Sequence, residues 1–185
     1  SSILARSVPI SSGGFCRSAS IVTTLLLTMW AVPTTEAAIR NPHMQAAKEQ
    51  DPVPAEGKAM VVFVRPSGYG NVVAASLFLA PEDALIPLGV MYHNEKYAVQ
   101  LDPGFHRFMV NGSFARFLDA ELEAGKTYYV LVRSEVGRWK AKFSLIPIRI
   151  AEGGTNSVHS AKFKEWMTRA EWIEKSPAAD AWFER

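Results

Sequence analysis

Between Lys58 and Pro147 apolar and polar side chains change places residue by residue, in short blocks separated by turn-forming dipeptides. In Lys96 to Leu101, Tyr97, Val99 and Leu101 fall on one side and Lys96 and Gln100 on the other. Tyr128, Val130 and Val132 alternate against Arg133 and Glu135, and Trp139, Ala141, Phe143 and Leu145 against Arg138, Lys140, Lys142 and Ser144. A period of two is the signature of a β-strand with one face buried. Lys58 to Arg65 is apolar on both faces, which predicts a central strand covered from both sides. Ala74 to Ala80 and Leu85 to Tyr92 continue the series, and Pro87 marks the latter as an edge strand or a bulge. The punctuation is Pro66 to Gly70, His93-Asn94-Glu95, Asp102-Pro103-Gly104, Asn111-Gly112, Glu123 to Lys126, and Gly137. Seven or eight strands at about 8–12-residue spacing, with no helix between them, predict a mainly β fold, an antiparallel β-sandwich over residues 57–150. Phe63, Val99, Val130 and Phe143 are the expected core, each worth about 1.5–3 kcal/mol of burial.

The flanks follow other patterns. Ser1 to Ser20 carries Arg6 and Arg17, many serines and no acid; Ile21 to Val32 is an apolar run of 12 residues; Pro33 to Ala38 is short and small-chained. Positive flank, short apolar core and small-residue exit predict a secretory signal over residues 1–37, cleaved after Ala37. Two alternatives share its features: a signal anchor that holds the chain to the membrane by residues 21–32, and an organellar transit peptide. Residues 38–56, with Pro42, Pro52 and Pro54 and no apolar period, read as a flexible linker.

After residue 151 a Gly-rich connector leads into Phe163, Trp166, Met167, Ala170 and Ile173 at helical spacing. Ser176-Pro177 then opens a second helix carrying Trp182 and Phe183. These residues, with Trp172, form an amphipathic tail. It either folds back on its own sheet or docks on a partner as a helix in a groove.

Composition adds mostly exclusions. The chain has 185 residues, 48% of them hydrophobic and 21% charged, with a formal charge of +2. Cleavage after Ala37 would leave 18 basic against 17 acidic residues, so no nucleic-acid surface is indicated. A single cysteine, Cys16, permits no intrachain disulfide and no multi-cysteine metal site. His43, His93, His106 and His159 lack metal-ligand spacing. Glu82/Asp83 and Asp119/Glu121/Glu123 are carboxylate groups on what reads as a solvated face. Ser113 lacks the nucleophile-elbow pattern. Gly68-Tyr69-Gly70 and Gly153-Gly154 are ordinary turn glycines, although the latter precede a helix start that favours anions. No cofactor motif stands out. Arg133, Arg138, Lys140 and Lys142 form a basic face for an anion or acidic partner, or guard an edge.

Three stretches carry a resemblance: Lys58-Ala-Met-Val-Val-Phe-Val-Arg-Pro66, Val99-Gln-Leu-Asp-Pro-Gly-Phe-His-Arg-Phe108 and Leu122-Glu-Ala-Gly-Lys-Thr-Tyr-Tyr-Val130. Over residues 56–148 the chain resembles a family of uncharacterised bacterial exported domains of unknown function. The resemblance implies a transthyretin-like or PEGA-like sandwich on the envelope side of the membrane, with the Pro-Gly and Ala-Gly-Lys turns as hairpin corners and no catalytic residue. The expected function is a non-enzymatic periplasmic or cell-envelope module that binds or scaffolds an envelope protein through its tail or a sheet edge. The alternatives are a carrier of small apolar ligands, or a hydrolase built around His106 and the Asp119/Glu121/Glu123 face.

Overall fold

A computed structural model describes residues 43–66, 73–112, 114–135, 142–151, 154 and 156–179. The leader expected over residues 1–37 and the second tail helix with Trp182 and Phe183 lie outside the described residues. The elements in chain order are β1 (Met44–Ala46), β2 (Ala59–Arg65), β3 (Ala75–Leu79), β4 (Ile86–Met91), β5 (Glu95–Leu101), β6 (Gly104–Asn111), β7 (Arg116–Leu122), β8 (Thr127–Glu135), β9 (Lys142–Ile148), α1 (Ala161–Arg169) and β10 (Glu171–Lys175).

They build a mainly β sandwich. A six-stranded sheet runs β1-β10-β5-β2-β8-β9 and faces a four-stranded sheet running β4-β3-β6-β7. All seven residues of β2 are buried, as the two-sided apolar pattern predicts. Pro87 lies in β4, at an edge of the smaller sheet, and the β3–β4 register slips between Leu77 and Phe78 to accommodate it. Both readings of that proline hold, because a residue without an N–H belongs at an edge or a bulge.

Two pairings depart from the antiparallel expectation. β2 lies parallel to β8, and β10 parallel to β5. After β2 the chain passes through β3 and β4 of the smaller sheet, β5 of the larger and β6 and β7 of the smaller, and enters β8 beside the start of β2. There Gly125 N–H donates to Lys58 O (2.8 Å) and Met60 N–H to Lys126 O (3.0 Å). In–out alternation is the same for either strand direction, so the pattern could not distinguish them.

The Pro-Gly and Ala-Gly-Lys turns are not hairpin corners either. Asp102-Pro103 carries the chain from β5 in one sheet to β6 in the other, and Glu123 to Lys126 carries it back from β7 to β8. Gly104, at φ 123°, takes a conformation at this crossing that a side chain resists. Asn111-Gly112 does sit in a hairpin, between β6 and β7.

The interior between the sheets contains Val61, Phe63, Leu77, Phe108, Val130 and Phe143, with Val99 only partly buried against them. Phe63 and Phe108 meet edge to face across it, with ring centres 5.6 Å apart. The outer face of the larger sheet has a second interior of Met60, Val62, Val64 and Trp172, packed against Trp166 and Met167. Beside it lie Leu131, Ile148 and Phe163.

The tail corrects one expectation and resolves an alternative. Helical spacing suggests a single helix through Ile173, but α1 stops at Arg169. Ala170, the C-cap, has extended backbone (φ −75°, ψ 136°) and its N–H closes on Trp166 O. Glu171 N–H then donates to Asn94 O (2.8 Å), which starts β10 alongside β5. Trp172 and Ile173 are thereby sent to opposite faces of the sheet, Ile173 into the inter-sheet core and Trp172 under α1. Two consecutive large apolar residues suit a strand covered on both sides better than one helix face. Over its described residues, α1 and β10, the tail folds back on its own domain.

The expected linker also belongs to the domain. Met44–Ala46 pairs with β10 as an edge strand, and Met44 is 5% exposed. A Cβ on Gly89 would meet Met44 and Tyr97 at 3.1 Å, so a glycine there lets β4 approach β1 and β5. Gln100 further holds the segment by donating to Val53 O (2.8 Å) and accepting from Ala55 N–H (3.2 Å). Short backbone pairings of this kind leave no hydrophobic period to read.

Candidate functional site

The two sheets differ in how their outer faces are treated. α1 covers the larger one. On the smaller sheet, register aligns Pro87 with Phe78, Phe78 with Met109, and Met109 with Phe117, a row of apolar side chains crossing all four strands. Met109, in the middle, is buried; Phe117 at the end is 57% exposed. Phe105 (61%), on the same face of β6 as Met109, extends the exposed apolar surface. A row of exposed apolar side chains of this kind makes the face a candidate interaction surface.

At one end the face opens into a groove. β3 separates from β6 after Ala80, whose N–H makes a last bond to Arg107 O (2.7 Å), and Pro81 cannot continue the ladder. The resulting space, about 490 Å³, is lined by Leu79, Ala80, Pro81 and Glu82 on one side and Phe105, His106 and Arg107 on the other. Arg107 forks onto Asp119 with bonds of 2.7 and 2.9 Å, which holds the Asp119 carboxyl below the usual carboxylate range. His106 Nε2 bonds to Asp102 O at 2.7 Å; since a carbonyl only accepts, that nitrogen carries the proton.

The base-and-carboxylate arrangement considered for His106 is not formed. His106 pairs with Ala120, whereas Asp119 and Glu121 pair with Arg107 and Phe105, so strand alternation puts the ring and those carboxylates on opposite faces. Glu123 is taken by Lys126 at 2.7 Å. Among the described residues, no group of three His, Cys, Asp or Glu side chains is placed to hold a metal ion.

Two buried cations went unnoticed in the sequence. Arg65 ends β2 on the inner face and is 2% exposed. Its guanidinium donates to the Met91 carbonyl and to Val73 O (2.6 Å), and lies 4.8 Å from the centre of the Phe143 ring. Burial lowers its pKa to about 10, and Glu95, its register partner on β5, opposes the shift. Burial raises the Glu95 carboxyl, while the Tyr92 N–H at 2.5 Å and Arg65 pull it back. Arg65 thus ties β2 to the end of β4 and to the approach to β3, bridging both sheets. The other cation is Lys96. Its ammonium donates to Met167 O in the last turn of α1 (2.5 Å) and lies 4.8 Å from the Trp172 ring centre, and burial depresses its pKa. A cation at a helix C-terminus complements the helix dipole. Alternation places Lys96 on the polar side of β5; burial of that side depends on a helix more than 60 residues away in sequence, out of reach of a local pattern.

Of the tail residues, Phe163, Ala170, Trp172 and Ile173 are buried, and Trp166 and Met167 are half-buried against the larger sheet. Within the basic face, Arg133 bonds to Glu135 (3.1 Å) and Lys142 lies over the Phe114 ring at 5.8 Å. Arg138 and Lys140 lie outside the described residues, as do Ser113, Gly153 and Gly68-Tyr69-Gly70. The sequence signal for the exposed face was present: Phe105 and Met109 alternate with Phe108 and Val110, so β6 is apolar on both sides. Only the topology reveals that, among the described elements, no helix or strand covers the outer side.

No protein-family model, curated protein or solved structure matches this chain.

Proposed function

We propose that this chain is a non-enzymatic binding module of the cell envelope, which engages a protein partner through the outer face of its four-stranded sheet. The observation that carries the reading is the asymmetry of the two sheets. The larger sheet's apolar outer face is covered by the chain's own α1, whereas Phe105 and Phe117 remain exposed on the smaller one. Of the tail, which the sequence offered as the contact, Phe163, Trp166, Met167, Trp172 and Ile173 pack on the chain's own sheets. Export to the periplasm or envelope rests on the leader pattern of residues 1–37, and the resemblance of residues 56–148 to exported domains supports the same compartment.

The test is co-purification from envelope extract. Replacing Phe105 and Phe117 together by serine is expected to abolish partner recovery at unchanged melting temperature, and Trp166→Ala to leave recovery intact. Recovery lost with Trp166→Ala and kept with the double variant would return the contact to the tail. A second reading, a carrier of small apolar ligands, draws on the 490 Å³ groove, a volume within the range of small-molecule sites.

A further inference from the structure

We propose that the groove between β6 and the β3–β4 turn receives a short extended segment of the partner protein, which pairs its main chain with Phe105 and sets a basic side chain against Glu82. This rests on the binding face proposed above and specifies what enters it.

The main-chain part follows from strand geometry. Along an antiparallel strand, alternate residues direct both backbone polar groups to the same side. Arg107 O faces β3, since it accepts from Ala80 N–H. Phe105, two residues earlier, therefore presents its N–H and C=O on that side too. Yet the β3 ladder on β6 runs only from Ser76↔Asn111 to Leu79↔Phe108, and Pro81 ends any continuation. The backbone of Phe105 is thus an open rung on the groove wall, in the place β3 would have occupied. An extended peptide that adds to such a rung gains hydrogen bonds without disturbing the sheet.

The side-chain part follows from charge. Glu82 lines the groove, and Glu121 and Asp119 stand across β7 from Phe105 and Arg107. The one guanidinium, Arg107, has both of its bonds committed to Asp119. Asp119 neutralises Arg107, which leaves Glu82 as the carboxylate of the lining, beside the apolar Leu79, Ala80, Pro81 and Phe105. Such a site fits a segment that alternates apolar and basic residues and repels an acidic one.

The test uses the full chain and three labelled peptides, read by fluorescence anisotropy: acetyl-Leu-Lys-Leu-Lys-Leu-amide, its Glu counterpart, and the Lys peptide N-methylated at the central amide. The Lys peptide is expected to bind. Affinity should fall at least about tenfold on N-methylation and in the E82Q/E121Q variant, the loss of roughly one charge-assisted or main-chain bond. Equal binding of the Glu peptide, or binding indifferent to N-methylation, overturns the inference while leaving the binding face standing. If no peptide binds, the inference falls as well, and the co-purification of the Phe105/Phe117 variant decides separately whether the face itself is at fault.

Discussion

Arg65 is the residue whose removal the fold should feel most sharply. Its guanidinium supplies hydrogens to the buried carbonyl of Met91 and the part-buried carbonyl of Val73. Arg65→Met keeps much of the volume but leaves those acceptors unpaired, a loss of about 3 kcal/mol. Urea unfolding monitored by tryptophan fluorescence checks this; a loss below about 1 kcal/mol would contradict the two-sheet bridge described here. Glu95, beside it, makes a prediction of opposite sign to that for Asp102 and Asp119. Its pKa is raised above 4.5, so the native state holds its proton more tightly than the unfolded chain. The stability this provides is full below pH 4.5 and is lost as the pH rises through the folded value. Asp102 and Asp119, with lowered values, act the other way, losing their contribution only as the pH falls below the ordinary carboxylate range. Glu95→Gln should therefore flatten the decline in urea midpoint above pH 4.5 and leave the acid limb unchanged. An unaltered upper limb would contradict the burial assigned to Glu95.

Among the elements, most of the strands were legible because each needs only its own alternation and a nearby turn. Pro87 and Asn111-Gly112 carried their meaning locally. Three features were not legible, each for a physical reason. The β2–β8 pair is parallel, and alternation does not encode direction. β1 has only three residues and is defined by its bonds to β10. β10 follows directly on a helix whose apolar spacing runs on by chance as far as Ile173. The adjacency of Trp172 and Ile173 was the available clue, since residues 100° apart on a helix do not share a narrow face. Trp172→Ala should cost about 3–5 kcal/mol as a core truncation. Ser160→Ala, which removes the α1 cap that accepts from Phe163 N–H (3.1 Å), should cost about 1 kcal/mol. Thermal melts of the two variants give the comparison. If Trp172→Ala is the milder of the two, β10 is not part of the sheet core.

In the whole molecule, Ala37–Arg185 forms one compact unit, so the expected partition into linker, sandwich and tail describes one body. The candidate site was half legible. The apolar residues on both sides of β6 stand in the sequence, but the register that separates His106 from the carboxylates, and the faces that stay uncovered, depend on how the strands pair and where α1 and β10 end up. α1 lies on the six-stranded sheet, and that choice leaves Phe105 and Phe117 facing outward. The central claim is that the contact surface is this uncovered face and not the tail. Photo-crosslinking in intact envelopes tests it most directly, with a photoreactive amino acid at position 117 in one version of the chain and at position 166 in another. The account predicts a discrete protein adduct from position 117 and none from position 166. Adducts from position 166 alone would contradict it.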